Sequence, residues 1–297
     1  VYTPPPRTSV SIIGVDGSSW DLTGPGSTAT LVDGLSGLHL PKTSQLWSKT
    51  ARRPGQTWRG SRLESREFTV KVAVGDSDAP YRRGDDWRTL DSQFWQALST
   101  DALATLRVND RYLRFRLDDN EDPVFAQDPA LLGNAVYSID CIADRPEWMG
   151  DQISKAFAYN ALANQNYYGG STGLGPPFYI GEAGIFDSAA VPNPGDLPAY
   201  PTWMIVGPAT RVTFGVGNRT TTLPFSLNVG DQVIIDTEAQ MIRDQQGNNL
   251  WPQIGYTPVN LAPIPPGDPS PVVIAMDGAE AGASVTVSLI PLYRRAW

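Results

Sequence analysis

The sequence predicts a mainly β protein in two domains, an N-terminal split barrel or β-sandwich with one helix over residues 1–150 and a second β-sandwich over 151–297. Three observations predict it. The chain holds 28 Gly and 26 Pro among 297 residues, a share that favours short strands joined by turns over long helices. Apolar and polar residues alternate in many short runs, the two-residue period of strands with one buried face. The length exceeds the usual size of one domain, roughly 100 to 150 residues.

Residues 10–15 and 28–32 read as short strands, with Gly14, Gly17, Gly24, Pro25 and Gly26 in the turns between them. The only histidine, His39, follows between Leu38 and Leu40, in what reads as strand; with no second side chain of its kind, a structural role is expected. Residues 42–60 turn polar and basic, with Arg52-Arg53-Pro54-Gly55 between Trp47 and Trp58. Such a loop is a surface excursion or an arm that packs on a neighbouring subunit, and isolated Trp residues in polar sequence favour the arm.

The stretch 63–117 is the clearest unit. Phe68, Val70, Val72 and Val74 alternate with Glu67, Thr69, Lys71 and Ala73 as in a half-buried strand. Asp85 or Asp86 is expected to cap a helix in which Trp87, Leu90, Phe94 and Leu98 recur at three- and four-residue steps. Residues 103–108 and 112–117 form a hairpin across Asn109-Asp110, a pair that tolerates positive φ. Leu113, Phe115 and Leu117 share one face of it, and Arg114 and Arg116 the other. The acidic run Asp118, Asp119, Glu121, Asp122 then reads as a solvated turn, because it lacks the Gly and Glu spacing of a calcium loop. A strand over 135–143 places Tyr137, Ile139, Cys141 and Ala143 on one face, and the first domain closes near Trp148.

Residues 151–200 are a loop-rich connection with one or two strands, and its Gly cluster at 169–175 lacks the Lys-Ser/Thr pair of a phosphate cradle. Short alternating runs follow at 203–206, 212–216, 221–227, 232–236, 240–243, 272–276 and 284–289, separated by turn signals such as Gly217-Asn218 and Gly247-Asn248-Asn249. That spacing is a sandwich signature.

The composition excludes more than it selects. One His and one Cys remove the usual catalytic triads and zinc or iron sites, and nothing selects a carboxylate pair among 31 acids, so no catalysis, cofactor or metal is expected. Cys141 allows no intrachain disulfide and reads as a small buried hydrophobe. A net charge of −8 argues against gripping nucleic acid by its phosphates. Residues 1–150 nevertheless hold 17 of the 23 basic and 20 of the 31 acidic side chains, a mixed-sign surface rich in Arg. No run approaches the roughly 18 apolar residues of a membrane span, and the proline-rich start does not read as a signal peptide, so a soluble, non-exported protein is expected.

Several short phrases recur in a recognisable order: Leu31-Val-Asp-Gly-Leu-Ser-Gly-Leu38, Arg66 opening the Phe68–Val74 alternation, the 87–98 helix, Leu106-Arg-Val-Asn-Asp-Arg-Tyr-Leu-Arg114 and Ala143-Asp-Arg-Pro-Glu-Trp148. Asn193-Pro-Gly-Asp196, Ile205-Val-Gly-Pro208 and Gly230-Asp-Gln-Val-Ile-Ile-Asp-Thr237 continue the series. In this order the chain resembles the distal tail protein family of long non-contractile-tailed phages, in the minor-tail-protein form seen in phages of actinobacteria. The resemblance spans nearly the full chain but contains no single diagnostic motif. It implies an N-terminal domain that forms a six-membered ring continuing the tail tube and a C-terminal galectin-like sandwich on the outside. It further implies a hub in the virion, assembled in the host cytoplasm, between the tube and tape-measure proteins on one side and the tail-tip hub and receptor-binding proteins on the other.

Two further expectations attach to it. A ring lumen that passes DNA is best lined with negative charge, and the Asp118–Asp122 turn is a candidate wall. The alternative function is a carbohydrate-binding adhesin module. Galectins hold sugar with a set that includes His and a stacking Trp; residues 151–297 contain no His, and Trp251 beside Pro252 reads as ordinary packing.

Overall fold

A computed structural model describes residues 8–52, 54–75, 84–119, 123–158, 184–185 and 190–297. With 49% of the described residues in strands and 8% in helices, the protein is mainly β. The chain divides into two compact units, the first holding the described residues up to Gly150 together with Tyr293–Trp297, the second holding Asp151–Leu292. The Gly cluster at 169–175, Arg53, Glu121 and Asp122 lie outside the described residues.

The first unit runs β1 (Val10–Ile13), β2 (Ser19–Asp21), β3 (Ala29–Ser36), β4 (Thr43–Ser48), β5 (Thr57–Leu63), β6 (Arg66–Gly75), α1 (Asp85–Gln96), β7 (Ala104–Val108), β8 (Arg111–Leu117), α2 (Pro129–Leu132), β9 (Asn134–Ala143) and β10 (Trp148–Gly150). Most strands join one antiparallel, nearly closed sheet in the order β2-β1-β7-β8-β9-β6-β3, with β10 beside β8. Closure is approached where the Leu31 N–H donates to the Leu22 carbonyl at 2.9 Å. The alternation in β6 is real: Phe68, Val70, Val72 and Val74 are buried. Leu113 and Phe115 of β8 face the same core, where Phe68 and Phe115 meet edge to face at 5.4 Å. Cys141 is buried in β9 as expected, and its apolar surroundings push the thiol pKa up. The strand β2 was not foreseen, because three residues are too few to display a period.

The α1 stripe packs on this sheet through Trp87 and Phe94; the Trp87 indole donates to the Val74 carbonyl at 3.1 Å, and Trp20 meets Phe94 edge-on at 5.2 Å. Two details differ from the expected helix. Its N-cap is Gly84, at φ 64, a conformation that strains an Asp, and no side chain caps it. Asp85 and Asp86 instead occupy the first turn, where they complement the helix dipole. Leu98 lies just past the C-cap Ala97 yet remains buried. His39 also differs, being exposed in a bend and not in a strand.

Arg66 is the polar anchor of this unit. Only 1% exposed, its guanidinium donates to the carbonyls of Pro146 at 2.7 Å and of Gly37 and Arg294 at 2.9 Å. Burial pulls its pKa down to about 10, opposed by the charge of Glu147. The Gly37 carbonyl is held close because Gly37 has φ 77 and a Cβ there would meet the Glu67 carbonyl at 2.5 Å. Two phrases of the sequence, around Gly37 and Pro146, therefore meet on one side chain, together with the returning C-terminal segment. In that segment Tyr293 and Ala296 enter the core, and Arg111 sits 3.8 Å over the Tyr293 ring while donating to the Arg295 carbonyl.

The second unit contains β11 (Ile153–Ala158), β12 (Gly184–Ile185), β13 (Ala190–Asn193), β14 (Thr202–Val206), β15 (Arg211–Val216), β16 (Arg219–Leu223), β17 (Gln232–Asp236), β18 (Met241–Asp244), α3 (Trp251–Ile254), β19 (Gly267–Asp277) and β20 (Ser284–Leu289). Two antiparallel sheets result, β11-β20-β14-β17-β18 and β12-β19-β15-β16, with β13 also on β19. Trp203 of β14 and Phe214 of β15 meet at 5.2 Å, so the inner faces of the two sheets share one core. The phrase at 193–196 proves to be packing: buried Asn193 donates to the Leu197 and Ile264 carbonyls at 2.9 Å and accepts from the Gly195 N–H at 3.0 Å.

Candidate assembly surface

The segment 42–63 contains six basic residues and no acid, and it folds as a hairpin rather than the expected loop. Strands β4 and β5 pair from Thr43↔Leu63 to Ser48↔Thr57 and, among the described residues, form a sheet of their own joined to no other strand. A bulge between Leu46 and Trp47 leaves Arg59 as the extra residue and sets Trp47 directly opposite Trp58. Alternation then puts Gln45, Trp47, Trp58 and Leu63 on one face, where the Trp58 indole donates to the Gln45 side-chain oxygen at 2.7 Å.

What distinguishes this hairpin is its lack of cover. Every residue of β4 and β5 is exposed except Ser48 and Gly60, which are half-buried. Trp47 and Trp58 are 54% and 56% exposed. Covering the free parts of both rings is worth roughly 5 kcal/mol of transfer free energy, and an isolated two-stranded hairpin is only marginally stable in water. Arg52 is exposed in the turn, and Arg59 and Arg62 are exposed on β5, so every charge the hairpin carries is positive. The four arm residues singled out in the sequence fall in this hairpin by chain position, three of them among the described residues.

Asp118 and Asp119 follow the end of β8 and are exposed, and the Asp118 N–H donates to the Asp140 carbonyl at 2.9 Å. Sequence reasoning passed over the residues just beyond them. Val124 is 97% exposed, Leu131 on α2 is 71% exposed, and Phe125 and Leu132 are also exposed. The signal was present: residues 118–132 hold five acids, no base and several large apolar residues, but α2 has only four residues and shows no helical period. Asp128 caps α2, accepting from the Ala130 N–H at 2.9 Å.

In the second unit the rings of Tyr200 and Tyr256 are exposed. Trp203 is buried, and the half-buried Trp251 donates its indole N–H to the Gln240 carbonyl at 3.0 Å. A polar depression of about 210 Å³ lies among Phe225, Asp231, Asp244, Gln246 and Gln253. Its carboxylates are engaged locally, Asp231 by Asn228 and Asp244 by Gln246 and Asn248. Among the described residues no group of three or more His, Cys, Asp or Glu is placed to hold a metal, and no helix is long and apolar enough to cross a membrane.

Fold and surface together define a bare cationic hairpin on a compact first unit. Among solved structures, the chain is similar over its length to the Dit protein of phage SPP1, described as a paradigm of the hub adsorption apparatus in phages infecting Gram-positive bacteria. The TM-score is 0.64 at 13% identity, covering 95% of this chain and 98% of that one, so the fold is shared. Chains in the phage P2 baseplate in its activated conformation, with Ca and with Sr, match at TM-scores of 0.46 and 0.47 with 13% identity and the same coverage. No protein-family model matches the sequence, and no curated protein matches it.

Proposed function

We propose that this chain is a structural hub protein of a phage tail, acting by shape and self-association and not by catalysis. In this reading the first unit closes a six-membered ring that continues the tail tube, and the protein joins the tube and tape-measure proteins to the tail-tip and receptor-binding proteins. The observation that carries it is the uncovered hairpin with Trp47 and Trp58, an apolar surface that no described residue of its own chain covers. The full-length fold shared with the SPP1 hub protein supports it. Ring closure uses two different surfaces on each subunit, which suits the mixed-sign charge of residues 1–150.

Sedimentation or light scattering of the purified protein tests this reading. The expected species is near 193 kDa, six times 32.2 kDa. A protein that stays monomeric at high concentration, alone and with its tail neighbours, overturns it.

A further inference from the structure

We infer that Arg66 is the positioning residue of the β4–β5 hairpin, and that the segment 293–297 has to be docked on it for the hairpin to be held as assembly requires. The inference rests on the ring reading and deepens it by naming what aims the uncovered surface.

The hairpin is an outgrowth of the β3–β6 pair. Ser36 at the end of β3 lies opposite Thr69 of β6, so the chain leaves the sheet after the first and re-enters it before the second. Among the described residues, Leu38 and Arg66 are the last buried side chains on these two feet, and nothing between them is buried. Packing of the hairpin itself therefore does not fix its direction. Hydrogen bonds between the feet do: the Glu64 N–H donates to the Lys42 carbonyl at 2.9 Å, and Arg66 donates from the returning foot to the Gly37 carbonyl at 2.9 Å and the His39 carbonyl at 3.5 Å on the outgoing one.

The same guanidinium ties the feet to the rest of the unit. It donates to the Pro146 carbonyl at 2.7 Å, in the turn that follows β9, and to the Arg294 carbonyl at 2.9 Å, while its backbone pairs with Ala143. A planar fork with donors in fixed directions can hold all these acceptors at once, which an ammonium on a flexible stem cannot. Arg66 is thus the point where both feet of the hairpin, the β9–β10 turn and the segment 293–297 meet.

That segment is the conditional part. It is held by Tyr293 and Ala296 in the core and by Arg111, which lies 3.8 Å over the Tyr293 ring and donates to the Arg295 carbonyl at 2.8 Å. In sequence it follows the whole second unit, Asp151–Leu292. Until it docks, a buried guanidinium lacks one of its acceptors, a costly state that favours turning the fork away from Gly37 as well. The hairpin is then aimed only in a chain whose second unit has already been made.

Three full-chain variants test this. Arg66→Lys keeps the charge and loses the fork. Tyr293→Ala leaves Arg66 in place and loosens the segment that it holds. Leu106→Ala weakens the same core from β7, a strand that pairs with neither β3 nor β6. Hydrogen exchange read by mass spectrometry, on chains diluted below assembly, is expected to speed up about 10-fold or more in residues 37–48 and 57–68 of R66K and Y293A. Sedimentation is expected to show their half-assembly concentration raised by about 10-fold or more, since an unaimed hairpin has to be ordered on binding. L106A is expected to lose stability in urea while keeping the wild-type values of both.

Wild-type exchange at 37–48 and 57–68 in R66K overturns the positioning role. The same result in Y293A, with residues 293–297 freed, overturns the dependence on that segment. Loosening of the hairpin by L106A as large as that by R66K overturns the inference too, because general instability then explains it, and so does faster exchange with unchanged assembly. A wild type that never assembles sinks the ring reading instead, and the exchange results, read on single chains, still decide what holds the hairpin.

Discussion

Two of the antiparallel hairpins of the first unit are alike locally and opposite in circumstance. The hairpin β7–β8 turns at Asn109, with φ 54, and lies between β1 and β9, with Leu106, Val108, Leu113 and Phe115 buried. The hairpin β4–β5 has a comparable ladder and more aromatic surface, yet no sheet neighbour and no buried residue. The difference shows that backbone pairing is common to both, while what covers the side chains separates a piece of core from a bare surface. It also predicts that equivalent truncations act on different observables.

The largest effect is expected in the covered hairpin. Phe115→Ala removes a fully buried ring that meets Phe68, and it should destabilise the first unit by about 3–5 kcal/mol in urea unfolding, with the second unit's transition unchanged. Arg66→Met comes next. It leaves the carbonyls of Pro146, Gly37 and Arg294 without their donor, and a loss of about 2–4 kcal/mol is expected, with increased hydrogen exchange in residues 293–297. The bare hairpin should behave in the opposite way. Trp47→Ala with Trp58→Ala is expected to change the stability of the isolated chain by less than about 1 kcal/mol, while abolishing assembly measured by sedimentation. Equal loss of stability from the Trp pair and from Phe115 would break the comparison.

The same contrast explains what was legible in the sequence. Strand β6, the β7–β8 hairpin and β17 and β20 could be read because a buried face imposes a two-residue period, and Phe68, Val70, Val72 and Val74 display it without interruption. Strands β4 and β5 have no buried face, so Thr43–Ser48 and Thr57–Leu63 show no such period and read as loop. The hint in that stretch came from composition, two Trp among bases, and composition marks an exposed stretch without giving its fold. The helix stripe was visible, but its cap was not, because the cap rests on the backbone angle of Gly84 and not on a side chain. Arg66 stood in the sequence as the start of a strand; its shortest bonds go to carbonyls 29, 80 and 228 residues away, and no local pattern encodes such a meeting.

The smallest expected effect lies in a third hairpin, β1–β2, and concerns pH. At its turn the Asp16 carboxylate accepts from the Ser18 hydroxyl at 2.6 Å and from the Ser18 N–H at 2.9 Å, and these bonds hold its pKa below the ordinary 3.8. Because the folded value is depressed, the contribution is fully present above the ordinary carboxylate value and is lost as pH falls through the folded one. An NMR titration should therefore place the Asp16 midpoint below 3.8, and Ser18→Ala should move it upward, since the hydroxyl bond is the largest cause. The arm segment 42–63 has no carboxylate at all, so its own turn cannot respond to acid in this range. Acid-induced loss of assembly with the β4–β5 resonances unchanged would therefore originate in carboxylates outside the segment 42–63.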